Sequence, residues 1–374
     1  MSTAGIVFSN IHDRNVSQLT TERTMASVPI GGRYRLIDFI LSNMVNAGIT
    51  KVGIICKTNY QSLARHIGTG KDWDLARKEK GIVILSPYSD KEAGPLYSNR
   101  LEALQSARVY INSCDEDYFI MSDSDVVANL PYDKIIEQHE ASGADITGVY
   151  KTIEVKKPIR RTSTLFDVSE DGRITGLTSH TEIEGTVNFG MNVWVMNREL
   201  VKNIIQDSIT YGKKSLSREV LAPMVAEGKI KIMAYEHKGY IGIIDSLDSY
   251  FVTNMDLLRD EVRQELFHTE NYPIITKVKD SAPTRYGSEA SVVNSIISDG
   301  CLIEGTVENS ILFRGVHVAK DAVVKNSIIM QDCILEARSN VNYLITDKRV
   351  VVGTGKSLSG CEGHPFYIEK GSIL

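Results

Sequence analysis

The C-terminal part of the chain is built on a repeat. Asn294-Ser295-Ile296-Ile297, Asn309-Ser310-Ile311-Leu312, Asn326-Ser327-Ile328-Ile329 and Asn342-Tyr343-Leu344-Ile345 begin 15, 17 and 16 residues apart. A second short apolar cluster follows each, as in Val316-His317-Val318 and Ala322-Val323-Val324, with Gly, Asn and Asp at the turns between. A unit this short cannot bury its own apolar side chains, so it must stack on its neighbours. The repeat therefore predicts a parallel β-helix. A β-sandwich, the alternative, has no use for a fixed Asn-Ser-Ile register.

Upstream the pattern is different. Short apolar runs at Ala4–Phe8, Lys51–Cys56, Ile82–Leu85, Tyr118–Met121, Asp145–Val149 and Val193–Met196 alternate with helical spacing over Ile37–Ala47, Leu101–Ile111 and Tyr132–Ala141. Strand and helix in alternation predict an α/β fold with a doubly wound, mainly parallel sheet. Ligands of such sheets sit beyond the carboxyl ends of the strands. A helical stretch over Leu247–Phe267 leads to a connector punctuated by Pro273 and Pro283. The expected division is an α/β domain with its connecting helix over 1–272 and a β-helix over 273–374.

Among 374 residues, 42 basic side chains face 47 acidic ones, a net charge of −5. That excludes an electrostatic nucleic-acid partner. No apolar run reaches the roughly 18 residues of a membrane span. Met1–Phe8 has no signal-peptide pattern and the five cysteines form no CxxC pair. The expectation is a cytoplasmic chain with reduced thiols, no metal site and no membrane partner. His12, His180 and His237 are too scattered to suggest a metal set.

The most informative stretch is Val28-Pro29-Ile30-Gly31-Gly32-Arg33-Tyr34-Arg35-Leu36-Ile37-Asp38-Phe39, a glycine turn leading into an apolar helix. Together with Ile67-Gly68-Thr69-Gly70, Trp73-Asp74-Leu75, Gly239-Tyr240, Asn254-Met255-Asp256-Leu257-Leu258 and the repeats, it resembles bacterial glucose-1-phosphate adenylyltransferase (ADP-glucose pyrophosphorylase). The resemblance runs nearly the whole length. It implies a nucleotidyltransferase-type α/β domain that joins ATP to glucose 1-phosphate, followed by a left-handed β-helix used in subunit contact and regulation.

The family's catalytic positions are mostly substituted. Its Gly-Gly-x-Gly-x-Arg loop, whose backbone amides cradle phosphates, reads Ser9-Asn10-Ile11-His12-Asp13-Arg14-Asn15. The glycines are gone, Asp13 brings negative charge, and Asn15 stands at the arginine; Arg14 replaces it only if the loop shifts by one residue, and Ile11 disfavours a positive-φ turn. Met25 stands where a lysine is expected, Asn99-Arg100-Leu101 where the base-contacting Gly-Thr-Ala loop is expected, and Ser179-His180-Thr181 where Glu-Lys-Pro binds the sugar phosphate. Of two acids implied for magnesium, Asp125 survives and the other is Ile243. Asp245, read as two residues further along the same strand, stands about 6.6 Å away at ~3.3 Å per residue, too far to replace it.

Losing one preorganised charge-stabilising donor typically costs ~10²- to 10³-fold in rate. Two such losses leave activity down by about 10⁴-fold or more. The sequence therefore reads as a non-catalytic or very weakly catalytic regulatory subunit, resembling the family's accessory chain of glycogen synthesis, with no catalytic residues and a vestigial nucleotide pocket at Ser9, Asn10, Asn15, Met25 and Asp125. The resemblance implies a catalytic homologous partner in a heterotetramer, with Mg²⁺ needed by that partner and no cofactor required here. The alternatives are an active adenylyltransferase with a rearranged site, and an acyltransferase-like β-helix for which the repeats offer only His317. Arg23 and Arg35 match positions where the family binds anionic effectors such as phosphorylated sugars, while His66 and Trp73 are expected to pack.

Overall fold

The computed structural model describes residues 2–86 and 97–374, apart from the side chains of residues 156–163, 180 and 181. Its main sheet has seven strands in the order Ile232–Glu236, Ile146–Val168, Ile174–Asn197, Tyr118–Asp123, Thr3–Phe8, Lys51–Ile55 and Gly81–Leu85. Four of the six pairings are parallel, and both antiparallel ones involve Ile174–Asn197. Thr3–Phe8 lies inside the sheet, buried from Ala4 onward, which is why its sequence is a continuous apolar run rather than an alternating one.

Three expectations on element lengths are corrected. Asp145–Val149 and Val193–Met196 are not isolated strands but the inner ends of two long arms, Ile146–Val168 and Ile174–Asn197, paired antiparallel. The run Leu101–Ile111 is two helices, Arg100–Ser106 and Arg108–Asn112, interrupted at Ala107. The stretch Leu247–Phe267 likewise divides into Leu247–Asp256 and Asp260–Phe267.

The glycine turn behaves as read. Gly31 and Gly32 adopt φ of 58° and 81°, a region that costs other residues energy. The chain then enters the helix Leu36–Asn46, where the Asp38 carboxylate accepts the Arg35 backbone N–H at 3.0 Å. An acidic group at this third position satisfies an otherwise orphaned amide.

Beyond the connector, three five-stranded parallel sheets wrap a column of Val, Ile and Leu. Asn294, Asn309 and Asn326 all take the left-handed conformation, at φ of 42°, 45° and 44°, which asparagine tolerates better than most residues. The serine that follows links the coils: the N–H of Ser310 donates to Ser295 Oγ, that of Ser327 to Ser310 Oγ and that of Leu344 to Ser327 Oγ. These bonds correct the fourth unit by one residue. Tyr343, at φ 51°, holds the left-handed corner, while Asn342 accepts from Asn326 Nδ2 at 2.9 Å. Among the described residues no helix is long and apolar enough to cross a membrane.

Candidate functional site

The strands Thr3–Phe8 and Tyr118–Asp123 run parallel and in register, Phe8 beside Asp123, so their carboxyl ends deliver the following loops to one place. No residue from Ser9 to Val16 has a positive φ. The loop after Phe8 is a 3₁₀ turn over Asp13–Val16, not a glycine cradle. Asp13 supplies an anion of the chain's own: its carboxylate accepts the Met25 N–H at 2.8 Å and Asn10 Nδ2 at 2.5 Å. Burial pushes the Asp13 carboxyl up to about 6 despite both bonds.

His12 and Arg100 meet the carboxylates at the end of Tyr118–Asp123. His12 Nε2 lies 2.6 Å from Asp123 Oδ2 and 3.5 Å from Asp125 Oδ2. Arg100 Nε donates to both Asp123 oxygens at 2.9 and 3.0 Å, and Arg100 Nη2 also contacts Oδ2. Burial by itself raises the Asp123 carboxyl, but the Arg100 guanidinium and His12 outweigh it and hold the group down at about 2. Burial lowers the His12 imidazole, and Asp125 and Asp123 more than reverse that, leaving it raised. The three groups His12, Asp123 and Asp125 have the spacing of a cation site. They do not fit magnesium, because Arg100 and His12 already engage both oxygens of Asp123, and a hard cation there must displace a half-buried, bidentate guanidinium.

The sequence-derived pocket residues separate. Asn15 and Asp125 line one cavity of about 390 Å³, together with His12, Arg100, Arg218 and Asp245. Ser9 and Asn10 are fully buried, Ser9 Oγ donating to the Ile55 carbonyl at 2.8 Å. Met25 is packed in an apolar cluster with Val16, Leu19, Val28 and Leu36. Arg14 faces a neighbouring cavity of about 520 Å³ with Asp13 and Lys57, so it does not stand in for the missing arginine in the cavity that holds Asp125. Ile243 pairs with Val126, directly after Asp125. The reading of Asp245 is corrected: the strand ends at Ile243, and Asp245 lies in the turn before Leu247–Asp256, facing the same cavity as Asp125. The side chains of His180 and Thr181 lie outside the described residues.

Arg100 and His12 were missed as a site. His12 was weighed only with His180 and His237 as a metal set, and Arg100 fell in a motif read only for a lost base contact. Asn99 caps the helix Arg100–Ser106 by accepting the Glu102 N–H at 3.0 Å, which aims the first residue of that helix at Asp123. An N-cap asparagine followed by arginine was the available signal.

Arg23 and Arg35 do come together, in a cleft of about 280 Å³ between the two parts of the chain. Arg65, Lys277, Lys279, Lys348, Arg349 and Lys370 also line it, against Glu22. Arg23 is buried, its Nη2 donating to both oxygens of Asp347 at 2.8 and 2.9 Å, while its Nη1 is buried without a hydrogen-bond partner. Arg35 Nη1 donates to the Ser62 carbonyl and hydroxyl. Burial, then repulsion from Arg35 and Arg23, brings Lys348 down to about 7. His66 packs edge-on to Trp73, as expected, but also faces this cleft.

A nucleotidyl transferase family model matches residues 15–249, and a GlmU-like C-terminal hexapeptide model matches 279–360. Glycogen biosynthesis protein GlgD of Bacillus subtilis is 33% identical over 370 residues, covering 99% of this chain and 96% of that protein. Glucose-1-phosphate adenylyltransferase of Clostridium perfringens strain SM101 is 31% identical over 324 residues, 85% of this chain and 81% of its own length. The chain belongs to the glucose-1-phosphate adenylyltransferase family. The Bacillus cereus adenylyltransferase, 30% identical, covers 91% of the chain, so the family likeness takes in sheet and repeats alike. The three parallel sheets are accordingly the faces of a left-handed β-helix, and the seven-stranded sheet is a nucleotidyltransferase domain.

Proposed function

We propose that this chain is a non-catalytic or very weakly catalytic regulatory subunit of glucose-1-phosphate adenylyltransferase, supporting a catalytic homologue in glycogen biosynthesis. One observation carries the reading: the carboxylate that ends the central strand, Asp123, is held by the chain's own Arg100 and His12. Nucleotidyl transfer depends on positioned charge, with metal ions neutralising phosphate oxygens, and here the carboxylate next to Asp125, the acid implied for magnesium, is committed to an internal cation while His12 stands 3.5 Å from Asp125 itself. The phosphate loop has filled itself with Asp13. The likeness to GlgD over 99% of the chain supports the same reading. Mg²⁺ then belongs to the catalytic partner, in a cytoplasmic heterotetramer.

The second reading, an active enzyme with a rearranged site, is favoured by Asp245 facing the cavity that holds Asp125. Purified chain incubated with ATP, glucose 1-phosphate and Mg²⁺ decides between them. The expected result is no ADP-glucose formation above background; turnover above ~1 s⁻¹, the low end of ordinary enzymes, overturns the non-catalytic reading. Copurification of a homologue carrying the intact glycine loop is the expected sign of the partner. Regulation enters through the cationic cleft. Its eight Lys and Arg side chains against one lining acid attract a multiply charged anion, and the reading assigns it a phosphorylated sugar.

A further inference from the structure

Asp38 is fully buried and sits where three parts of the molecule meet. Its Oδ1 lies 2.5 Å from His66 Nε2, on the helix Gln61–Ile67. Its Oδ2 accepts two donors, the Arg35 backbone N–H at 3.0 Å and the Thr276 hydroxyl at 2.5 Å. Thr276 belongs to the connector between the sheet domain and the first coil. The neighbouring Ile275 is tied to the same helix turn: its N–H donates to Ser42 Oγ at 2.8 Å, and Ser42 Oγ contacts the Asp38 carbonyl at 2.5 Å.

Two of the three partners of Asp38 also face the cationic cleft. Arg35 turns its guanidinium into the cleft while its own N–H holds Asp38, and His66 lines the cleft with its ring against the same carboxylate. Lys277, one residue after Thr276, lines the cleft and donates to the Arg65 carbonyl at 2.7 Å. Arg35 and His66 are each one hydrogen bond from the carboxylate, and Lys277 is one residue beyond Thr276, itself one hydrogen bond away. Without an anion, Arg35, Lys277, Lys279 and Lys348 repel one another across the cleft. A polyanion reverses the sign of that force and draws them together.

We propose that Asp38 is a positioning residue through which an anion in the interdomain cleft braces the connector, the Thr276 hydroxyl being the link. The inference rests on the anion reading of the cleft and adds the route by which occupancy reaches the joint between the domains. It needs a differential effect on two states of the connector, braced and loose, as any coupling does.

The test uses the full chain, with glucose 1,6-bisphosphate and inorganic phosphate as probes and amide hydrogen exchange of the 268–284 segment as readout. In the wild type the bisphosphate slows exchange there by about tenfold, the scale of one hydrogen bond to a charged acceptor. Thr276→Val binds the probe within about threefold of wild type, a difference well under 1 kcal/mol, yet loses the slowing; Thr276→Ser restores it. Equal slowing in Thr276→Val overturns the proposal, as does failure of Thr276→Ser to restore it. If the probes bind but the wild-type connector does not respond, the coupling alone falls. If neither probe binds, the anion reading falls with it. Thr276→Val is preferred to Asp38→Asn because it removes a single hydroxyl and leaves the buried carboxylate with two partners.

Discussion

At the scale of single residues, Asp13, half-buried, and Asp123, fully buried, are two acids pushed in opposite directions, and pH separates them. Asp13 is raised from 3.8 to about 6 by burial. A carboxyl raised in the folded state binds its proton more tightly there, so its contribution to stability is full at low pH and is lost as pH rises through about 6. Asp123 is held down at about 2 by Arg100 and His12 against the burial that opposes them. Its contribution is present above about pH 4 and is lost as pH falls towards 2. The windows do not overlap. Asp13→Asn is expected to flatten the stability curve between pH 4 and 6 and leave the limb below pH 4 intact, as read by urea denaturation across pH. An unchanged slope between pH 4 and 6 would show that Asp13 does not titrate there.

Arg100→Ala removes the main partner of a buried carboxylate, and the expected loss is ~3–5 kcal/mol in the same denaturation assay; a loss under ~1 kcal/mol, typical of a surface pair, refutes the clamp. Restoring charge to the loop is expected to fail for a reason the sequence did not contain. Met25 is fully buried among apolar side chains, so Asn15→Arg with Met25→Lys places an ammonium in the core, at a cost of several kcal/mol. That double variant is expected to be less stable and to show no adenylyltransferase turnover; measurable turnover refutes the prediction. What the sequence lacked at these sites was legible, because lost glycines and a lost arginine are visible letter by letter. What replaced them was not, since the His12, Arg100 and Asp123 contacts join a loop, the start of a helix and the end of a strand far apart in the sequence.

At the scale of elements, the Asn-Ser-Ile repeat is a hydrogen-bonded ladder. Ser310 is fully buried, and its Oγ donates to the Glu308 carbonyl at 2.7 Å while accepting the Ser327 N–H at 3.0 Å. Ser310→Ala leaves a buried amide without its acceptor, for an expected loss of ~1–3 kcal/mol. Ser295 Oγ, in the first coil and less buried, accepts the Ser310 N–H in the same way, so its alanine variant is expected to lose a similar or somewhat smaller amount in thermal melting; no loss in either variant contradicts the ladder. The repeat made this element readable, since stacking enforces one register on every coil. The single slip came at the fourth unit, where Tyr343 takes the corner that Asn holds elsewhere. The long antiparallel arms were read only at their inner ends, because Lys156-Lys157-Pro158-Ile159-Arg160-Arg161 carries charge and proline in place of alternation. Where the chain leaves the sheet's core, burial no longer writes a pattern into the sequence.

At the scale of the whole molecule, the two domains share one apolar cluster. Val16, Leu19, Phe39 and Tyr250 from the sheet domain pack with Ile311, Ile328, Met330 and Ile345 from the coils. Beside it, Arg23 and Asp347 form a buried ion pair, closed by the Tyr367 hydroxyl at 3.0 Å from Asp347. A cluster that neither domain completes by itself ties their stabilities together, so each loses buried surface if the other unfolds. Heating the full chain is therefore expected to give one calorimetric transition, even though default inter-domain contacts are smaller and more polar. Asp347→Ala strands Arg23 in a buried position and is expected to cost ~3–5 kcal/mol, lowering that single transition without splitting it, because the apolar cluster survives. Two separated transitions in the wild type contradict the shared core. Splitting in Asp347→Ala alone assigns the coupling to the ion pair instead.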